Sequence, residues 1–277
     1  MPSYGVVDHA CLEDIAMIAP PAEVGRYGLL ESCGAIVALL PYDPRPVNLV
    51  AEPVEAAAEL SVGAFAAFNR YATLKRLLTM AGRLMAERCG LPPKSFRVLV
   101  NSRLPEKRLA IAAGLGFIGR SSLVISDAYG PACVVGVLLL PPGLALVVDE
   151  KRPAAVATES RGCGTCTACA DACPTGAIAR QSPAGPDLDL GLCIQYWTTA
   201  PGTVPEPVRA AWGSRLYGCD VCVAACPHSS RAYRPGPDGL APAARADALA
   251  SPAERRPGRL VAMADIAGAS DQSIKAL

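Results

Sequence analysis

The sequence lacks a net charge of either sign, because 26 basic residues are balanced by 25 acidic ones and leave a formal charge of +1. A protein whose main partner is a nucleic acid usually carries a marked basic excess or a clustered basic patch, and neither stands out here. Charge composition therefore gives no support to a function that rests on phosphate contacts, and the chemistry must be sought in the motifs.

The sequence also lacks an apolar run long enough to cross a membrane, although 51% of its residues are hydrophobic. The longest uncharged stretch, Pro131 to Val148, is interrupted by Pro141, Pro142 and Gly143. This pattern predicts two buried strands joined by a turn rather than a membrane helix. The first residues show neither the basic nor the apolar segment of a signal peptide. We therefore expect a soluble, cytoplasmic protein.

Cysteine, in contrast, is abundant, with twelve residues in the chain. Four of them form a C-x2-C-x2-C-x3-C run followed at once by proline, and four more come later, the last again followed by proline. Eight thiolates divide into two sets of four, and the first run has the spacing of two-cluster ferredoxins. The pattern predicts two [4Fe–4S] clusters and a role in electron transfer.

The fourth cysteine of such a run typically binds the other cluster. We therefore assign the eight cysteines to two sets of ligands. The first centre comprises Cys163, Cys166, Cys169 and Cys226, and the second centre comprises Cys173, Cys193, Cys219 and Cys222.

Two other interpretations use the same cysteines. Zinc ribbons also contain C-x2-C pairs, but four cysteines in one tight run suit a tetrahedral zinc ion poorly. Disulfide bonds need an oxidising compartment, for which the sequence gives no indication. The remaining four cysteines stand singly among apolar residues, and we expect them to be buried thiols: Cys11, Cys33, Cys89 and Cys133.

The residues before the cysteine-rich region predict a mixed α/β domain. Apolar runs predict strands at Gly34 to Tyr42, Phe96 to Val100, Ser121 to Ser126 and Cys133 to Leu140, and three- and four-residue periodicity predicts helices within Leu60 to Cys89 and at Leu104 to Ala113. We divide the chain into an α/β domain (1–155), a two-cluster module (156–232) and a Pro/Ala/Arg-rich tail (233–277). The tail is expected to be partly disordered, with a helix only at Leu260 to Ile266.

Gly114, Gly116 and Gly119 spell G-x-G-x-x-G, the pattern of a dinucleotide-binding loop. That loop needs a strand before the glycines and a helix after them. Here a helical segment precedes the glycines and a β-rich segment follows, so the order is reversed. The glycines instead allow close backbone approach to a large flat cofactor, or end the helix and turn the chain into a strand.

Taken together, these segments resemble the epoxyqueuosine reductase-like family, cobalamin-dependent reductases with two [4Fe–4S] clusters that are related to reductive dehalogenases. The resemblance rests on the stretches CGTCTACADACPTGAI, LCIQYW, RLYGCDVCVAACP and AGLGFIGR. It implies a nitroreductase-like α/β domain that holds cobalamin, with a ferredoxin-like module that supplies electrons. It also implies an external low-potential electron donor of the ferredoxin or flavodoxin type, and tRNA as the substrate.

The same resemblance suggests roles for further residues. Gly114, Gly116, Gly119 and Arg120 correspond to the loop beside the corrinoid in that family. Neither His9 nor His228 lies in the D-x-H-x-x-G setting of a lower cobalt ligand, in agreement with cobalamin binding without a protein ligand, and we expect both histidines to be structural.

The chain departs from the family at the position of its proton-donating aspartate, where Asn101 stands. A carboxamide cannot serve as a general acid near neutral pH, so Glu106 is the nearest substitute. No C-terminal helical-repeat extension follows the clusters in this sequence. Two alternatives therefore stay open: a ferredoxin-like electron carrier, and a protein that reduces corrinoid for another enzyme without a substrate of its own.

Overall fold

The computed structural model describes residues 3–45, 59–144, 162–180, 187–254 and 260–262. The first part of the chain contains β1 (Ser3–Asp8), α1 (His9–Ile18), α2 (Pro21–Tyr27), β2 (Gly34–Pro41), β3 (Glu59–Val62), α3 (Ala64–Ala67), α4 (Arg70–Arg88), β4 (Arg97–Val100), α5 (Glu106–Ala112), β5 (Gly116–Ile118), β6 (Val124–Ser126) and β7 (Cys133–Leu140). The second part contains α6 (Ala168–Ala172), α7 (Ile194–Trp197), α8 (Glu206–Ala210), β8 (Arg215–Tyr217), α9 (Val221–Ala224), α10 (Ser230–Tyr233), α11 (Pro242–Leu249) and β9 (Leu260–Ala262).

An antiparallel sheet of four strands, in the order β1-β2-β7-β4, lies at the centre of the α/β domain. Its two middle strands are apolar along nearly their whole length because helices cover both faces. One face packs with residues of α1 and α5 around Leu12, Val37 and Leu109. The other face packs under α4 and α11, with Leu74 and Leu138 at its centre. The predicted mixed α/β fold is therefore confirmed.

The long helix α4 begins later than the sequence pattern suggests. Phe68 adopts an extended conformation (φ −121°, ψ 136°) and ends the short helix α3. The side chain of Asn69 then accepts a hydrogen bond from the amide of Ala72 at 3.1 Å and caps α4. Most of the predicted helix is confirmed, but the segment before it is a strand followed by a single helical turn.

The glycine-rich loop forms the hairpin of β5 and β6. The predicted strand Ser121 to Ser126 is shorter in the structure and begins only at Val124. Ser122 has a left-handed backbone (φ 58°), whereas the β conformation needs a negative φ. Helix α5 precedes the glycines and no helix follows them directly. A dinucleotide-binding loop is therefore excluded, as the order of predicted elements indicated.

Part of the predicted disordered tail is ordered. Helix α11 buries Ala243 and Ala246 against the α/β domain, and its Asp247 forms an ion pair with the buried Arg70. These apolar and charged contacts offset the cost of ordering a segment that composition alone marked as disordered. The predicted terminal helix from Leu260 is wrong over the described residues, because Leu260–Ala262 pairs with β3 as an antiparallel strand. Residues 255–259 and 263–277 lie outside the described ranges.

None of the helices in the described ranges combines the length and apolar character that a bilayer crossing requires.

Candidate iron–sulfur centres and the adjoining cavities

The four cysteines of the predicted first centre come near enough to influence one another's pKa. Burial raises the pKa of Cys226, and the nearby thiolates of Cys163, Cys169 and Cys166 raise it further. The pKa of Cys169 is likewise raised by burial and by Cys163 and Cys166. Electrostatic coupling of this kind requires short distances, so the chain brings Cys226 back to the first cysteine run.

Local structure explains how the cysteine run curls. The amide of Cys166 donates a hydrogen bond to the carbonyl of Cys163 at 3.0 Å, and Gly164 between them has the left-handed φ of 52° that this turn requires. Helix α6 then carries Cys169 and ends at Cys173, which is extended (φ −66°, ψ 116°) and precedes Pro174. Cys173 is thereby directed away from the turn that holds the first centre.

The cysteines of the predicted second centre share one cavity of about 390 Å³, lined by Cys173, Cys193, Cys219 and Cys222 among other residues. Burial raises the pKa of Cys222 far above its ordinary range, and the thiolates of Cys219 and Cys193 add to this effect. Cys169 of the first centre contributes to the same shift. The two centres are therefore neighbours, joined where α6 packs against α9.

The surroundings of Cys173 suit a thiolate ligand. Burial alone would raise its pKa, but hydrogen bonds from the hydroxyl and amide of Thr175 and from the amides of Ala177 and Ile178 outweigh burial and lower it. Amide donors of this kind stabilise thiolates and tune the potential of a cluster. The residues present thus fit iron–sulfur ligation.

Within the described ranges, no group of three or more His, Cys, Asp or Glu side chains surrounds one point at ligand distance. A structural zinc site needs four ligands at about 2.3 Å from one centre. The twelve cysteines form no disulfide bond in the structure.

One expectation for the other cysteines is wrong. Cys89 is exposed because it lies just past the end of α4, where the chain turns towards solvent. Cys11, Cys33 and Cys133 are partly buried. Cys133 lies on the wall of the second-centre cavity, and burial raises the pKa of its thiol to about 12.

Arg120 and the glycine loop lie directly against the first centre. The amide of Arg120 donates to the Sγ of Cys163 at 3.3 Å, and its guanidinium binds the carbonyls of Cys166 at 3.0 Å and Gly164 at 3.3 Å. A Cβ added to Gly119 would lie 2.6 Å from Ile125 and 3.5 Å from the Cys163 sulfur. The loop thus fastens the hairpin of the α/β domain to the two-cluster module.

The other two glycines have local roles. Gly114 (φ 70°) follows the end of α5, and Gly116 (φ 153°) lets the hairpin close where a Cβ would lie 2.1 Å from the Ile125 carbonyl oxygen. The described walls of the second-centre cavity, and of the cavity beside it that contains Asn101, do not include Gly114, Gly116, Gly119 or Arg120. Their predicted contact with a corrinoid stays a prediction.

A second cavity of about 660 Å³ contains both predicted catalytic residues, Asn101 and Glu106. It adjoins the second-centre cavity because the two have a common wall, formed by Tyr71, Lys107, Leu123, Pro131, Cys133 and Val134. We call the larger space the Asn101 cavity. The structure therefore brings the predicted catalytic position next to the second centre rather than the first.

Asn101 and Glu106 are connected to each other. Asn101 has a left-handed backbone (φ 54°), a conformation that asparagine tolerates better than most residues. The carboxylate of Glu106 accepts hydrogen bonds from the amides of Asn101 at 3.2 Å and Ser102 at 2.8 Å. Burial raises the pKa of Glu106, and these hydrogen bonds partly oppose the shift. Glu106 holds the loop that presents Asn101.

Sequence reasoning missed two polar residues on the common wall, Tyr71 and Lys107. The Nζ of Lys107 donates to the carbonyl of Ser122 at 2.9 Å, and burial lowers the pKa of Lys107. Burial raises the pKa of Tyr71, with further contributions from Tyr217 and Glu106. Both residues belong to helices whose pattern indicated only an ordinary amphipathic surface, so no local signal could have found them.

Comparison with known proteins agrees with this arrangement. The family described as "4Fe-4S double cluster binding domain" matches residues 162–229. The chain is 37% identical to epoxyqueuosine reductase of Pseudomonas aeruginosa over 193 residues, which cover 68% of this chain and 48% of that protein. It is 33% identical to epoxyqueuosine reductase of Francisella cf. novicida over 204 residues, which cover 71% and 53% of the two chains. The chain thus spans about half the length of the curated relatives it matches.

Solved structures show the same fold. Epoxyqueuosine reductase from Bacillus subtilis superposes with a TM-score of 0.62 at 19% identity, covering 99% of this chain and 70% of that one. A structure of epoxyqueuosine reductase with an epoxyqueuosine-modified tRNA stem loop superposes with a TM-score of 0.58 at 20% identity, covering 87% and 65%. By sequence and by fold, the predicted resemblance of this chain to the epoxyqueuosine reductase-like family is confirmed.

Proposed function

We propose that the chain is a cytoplasmic, cobalamin-dependent reductase of the epoxyqueuosine reductase type, which passes electrons through two [4Fe–4S] centres. Its substrate would be the epoxide of a queuosine-type modification in tRNA or a diverged relative of it. An external low-potential protein of the ferredoxin or flavodoxin type would supply the electrons. Similarity to the curated relatives supports the reaction class, and the stem-loop complex of a structural neighbour supports tRNA as the substrate class.

The common wall between the second-centre cavity and the Asn101 cavity carries this proposal. A centre that opens onto a second cavity can deliver electrons to a group held there. Cys169 of the first centre lies near enough to Cys222 of the second to raise the pKa of that thiol, and α6 packs against α9 between them. The order of transfer would therefore run from the first centre to the second and then into the Asn101 cavity.

The Asn101 cavity has the chemistry of a cofactor pocket. Leu123, Pro131 and Val134 give it an apolar wall, while Tyr71 and Lys107 add a few fixed polar groups. These residues would hold a corrinoid, whose reduced cobalt supplies the nucleophile or reductant for breaking a carbon–oxygen bond. No histidine lines either cavity within the described ranges.

The ring of His9 is instead bonded to the carbonyl of Ser32 at 2.7 Å, and His228 packs against Phe117. Both contacts support the structural roles expected for these histidines.

Removal of an epoxide oxygen also needs a proton donor. Asn101 cannot provide one, and its amide can only hydrogen-bond to a substrate or cofactor. Glu106 is a carboxyl group whose pKa is raised by burial, so a larger fraction of it carries a proton near neutral pH than an exposed glutamate would. We assign Glu106 to positioning of the Asn101 loop and to proton supply through that cavity.

Titration with cob(II)alamin tests the proposal. The clusters are reconstituted without oxygen and the EPR spectrum is followed as cob(II)alamin is added. The expected result is a base-off signal that saturates at one equivalent per chain. Leu123→Trp, which fills the common wall, should weaken binding, whereas Leu84→Trp on the exposed surface of α4 should leave it unchanged.

If protein that contains both clusters left the EPR spectrum of cob(II)alamin in its free, base-on form, the proposal would be contradicted. That outcome would favour the second candidate, an electron carrier of the same fold. The observation behind this candidate is Asn101 itself, because a chain without the family's acid could retain electron transfer and lose deoxygenation.

A further inference from the structure

Three arginines surround a cavity of about 480 Å³ at the far end of the two-cluster module. Arg231, Arg234 and Arg245 line it together with Tyr129 and Leu240. It has no lining residue in common with the second-centre cavity or the Asn101 cavity. We call these three residues the arginine face. The proposed reaction cavity does not use this face.

The arginine face is built directly onto the first centre. Cys226 is followed without interruption by the 3-10 turn Pro227–Ser229 and then by α10, which contains Arg231. The guanidinium of Arg231 donates to the carbonyl of Ser126 at 3.3 Å and so keeps this segment against the hairpin of the glycine loop. Arg234 follows one turn later, with its amide bonded to the carbonyl of Ser230.

The first centre has one ligand at the protein surface. Cys166 is exposed, although Cys169 of the same set is buried, whereas each cysteine of the second centre is only partly exposed. An electron from an external donor can therefore enter at Cys166.

Positive charge on this face is only partly neutralised. Arg245 forms an ion pair with Asp238. Arg234 is exposed and forms no ion pair with a carboxylate in the described ranges. Arg120 places a further guanidinium on the turn of the first centre. A protein of almost zero net charge thus has a local basic surface beside the site where electrons would enter.

We propose that the arginine face is the docking surface for an acidic, one-electron carrier protein. Charge complementarity at such a surface raises the rate of productive encounter. One electron leaves the reduced carrier and arrives at the first centre, so the carrier is oxidised by one electron and the centre is reduced by one. No bond forms or breaks. The inference rests on the electron relay of the proposed function but does not depend on the substrate.

Charge reversal at Arg234 tests the inference. Calorimetry measures the binding of oxidised flavodoxin to the full chain with both clusters. A stopped-flow spectrometer follows the reduction of the clusters by flavodoxin hydroquinone. Arg234→Glu should weaken binding and slow reduction by about tenfold at low ionic strength. The difference should nearly vanish at about 1 M salt, where the Debye length is about 3 Å. Arg234→Gln should give a smaller effect in the same direction.

Two controls separate docking from damage to the clusters. Arg83→Glu reverses an exposed charge on α4, away from the arginine face, and should leave flavodoxin binding unchanged. Reduction by methyl viologen radical, a small cation that needs no docking surface, should not become slower in Arg234→Glu. Both measurements omit the substrate, so a failure of the proposed deoxygenation would not affect them.

Three results would overturn the inference. The first is a flavodoxin affinity that is unchanged in Arg234→Glu, and the second is an affinity that falls as much in Arg83→Glu as in Arg234→Glu. The third is a rate of reduction by methyl viologen radical that falls in Arg234→Glu as much as the rate of reduction by flavodoxin. The same variants are also titrated with a tRNA stem loop. If Arg234→Glu weakened RNA binding but not flavodoxin binding, the arginine face would be a nucleic-acid surface and the inference would be wrong.

Discussion

At the scale of residues, the conformation of Asn101 limits what can replace it. Its φ of 54° lies in the left-handed region, where Asn, Asp and Gly are the residues that fit with least strain. The carboxylate of Glu106 accepts the amide hydrogen of residue 101 whatever side chain that residue carries. An aspartate can therefore be placed in the cavity without disturbing the loop.

We predict that Asn101→Asp creates or increases deoxygenation of an epoxyqueuosine-containing tRNA stem loop. A positioned general acid contributes about 10²- to 10⁴-fold to the rate, and the new carboxyl group would line the Asn101 cavity. Activity is measured by mass spectrometry of the released nucleoside. Asn101→Gly, which keeps the backbone conformation but adds no acid, is the control. Equal activity in the two variants would show that the missing carboxyl group is not what limits the reaction.

The two-cluster module could be predicted from sequence because the cysteine run that marks it is local. The involvement of Tyr71 and Lys107 could not, since the common wall forms only when α4, α5 and β7 pack together. Arg120 was predicted from family resemblance as a corrinoid residue. Its hydrogen bonds to the first-centre turn depend on long-range packing that spacing does not encode.

At the scale of elements, the hairpin of β5 and β6 joins the two parts of the protein. We predict that Gly119→Ala weakens this junction, because the new methyl group would lie 2.6 Å from Ile125 of the same hairpin and would distort the hairpin where it meets Cys163. The expected results are a lower melting temperature and a smaller iron content after reconstitution.

Gly25→Ala in α2 is the matched control, because a Cβ there meets no atom within 4 Å. It should stabilise the protein slightly, as alanine usually does in a helix. A Gly119→Ala variant with the iron content of the unmodified protein would contradict the junction role.

The ordered part of the tail is attached to α4 by Glu254. Its carboxylate accepts hydrogen bonds from Arg76 at 2.9 Å and Thr73 at 3.0 Å. The Arg76 guanidinium, together with further donors, lowers the pKa of Glu254 from 4.5 to about 2. Because the folded-state pKa is lowered, this stabilisation is present above the unfolded pKa of 4.5 and is lost as pH falls from there towards about 2.

We predict that Glu254→Gln lowers the free energy of unfolding by about 2 kcal/mol near neutral pH, a figure below the full pKa shift because Arg76 is partly screened by solvent. The difference from the unmodified protein should be constant from about pH 7 to about pH 5 and should shrink below that range. Urea unfolding under anaerobic conditions measures it. Glu206→Gln, which removes an exposed ion pair with Arg209, should cost less than about 1 kcal/mol. A pH-independent loss in Glu254→Gln would contradict an ionic contribution.

At the scale of the whole molecule, the proposed relay makes the two centres one path from the surface to the Asn101 cavity. We predict that Cys222→Ser reduces the iron content from about eight to about four atoms per chain and abolishes reduction of any group in that cavity. Reduction of the first centre by an external donor should persist. Iron analysis and EPR of the reduced protein measure the first effect, and substrate turnover measures the second.

Cys89→Ser is the matched control, because Cys89 is exposed and lies outside both sets of ligands. It should retain both clusters. Turnover that survives in Cys222→Ser would show that electrons do not pass through the second centre, and the relay would have to be abandoned.

The fold class and the main strands of the α/β domain were predictable because β2 and β7 are apolar along their whole length. The three-stranded sheet of β8, β3 and β9 was not predictable. Its strands are short and come from distant parts of the chain, and each has too few residues for a recognisable pattern.

The order of the cysteines along the chain has a consequence for biosynthesis. With the proposed ligand sets, the second centre is nested inside the first, since Cys173 to Cys222 all lie between Cys169 and Cys226. A nascent chain that has reached Val221 holds a full set of ligands for neither cluster, and about one helical turn later it holds both. Neither cluster can therefore be completed before this short segment has been synthesised, and the two ligand sets become complete almost together.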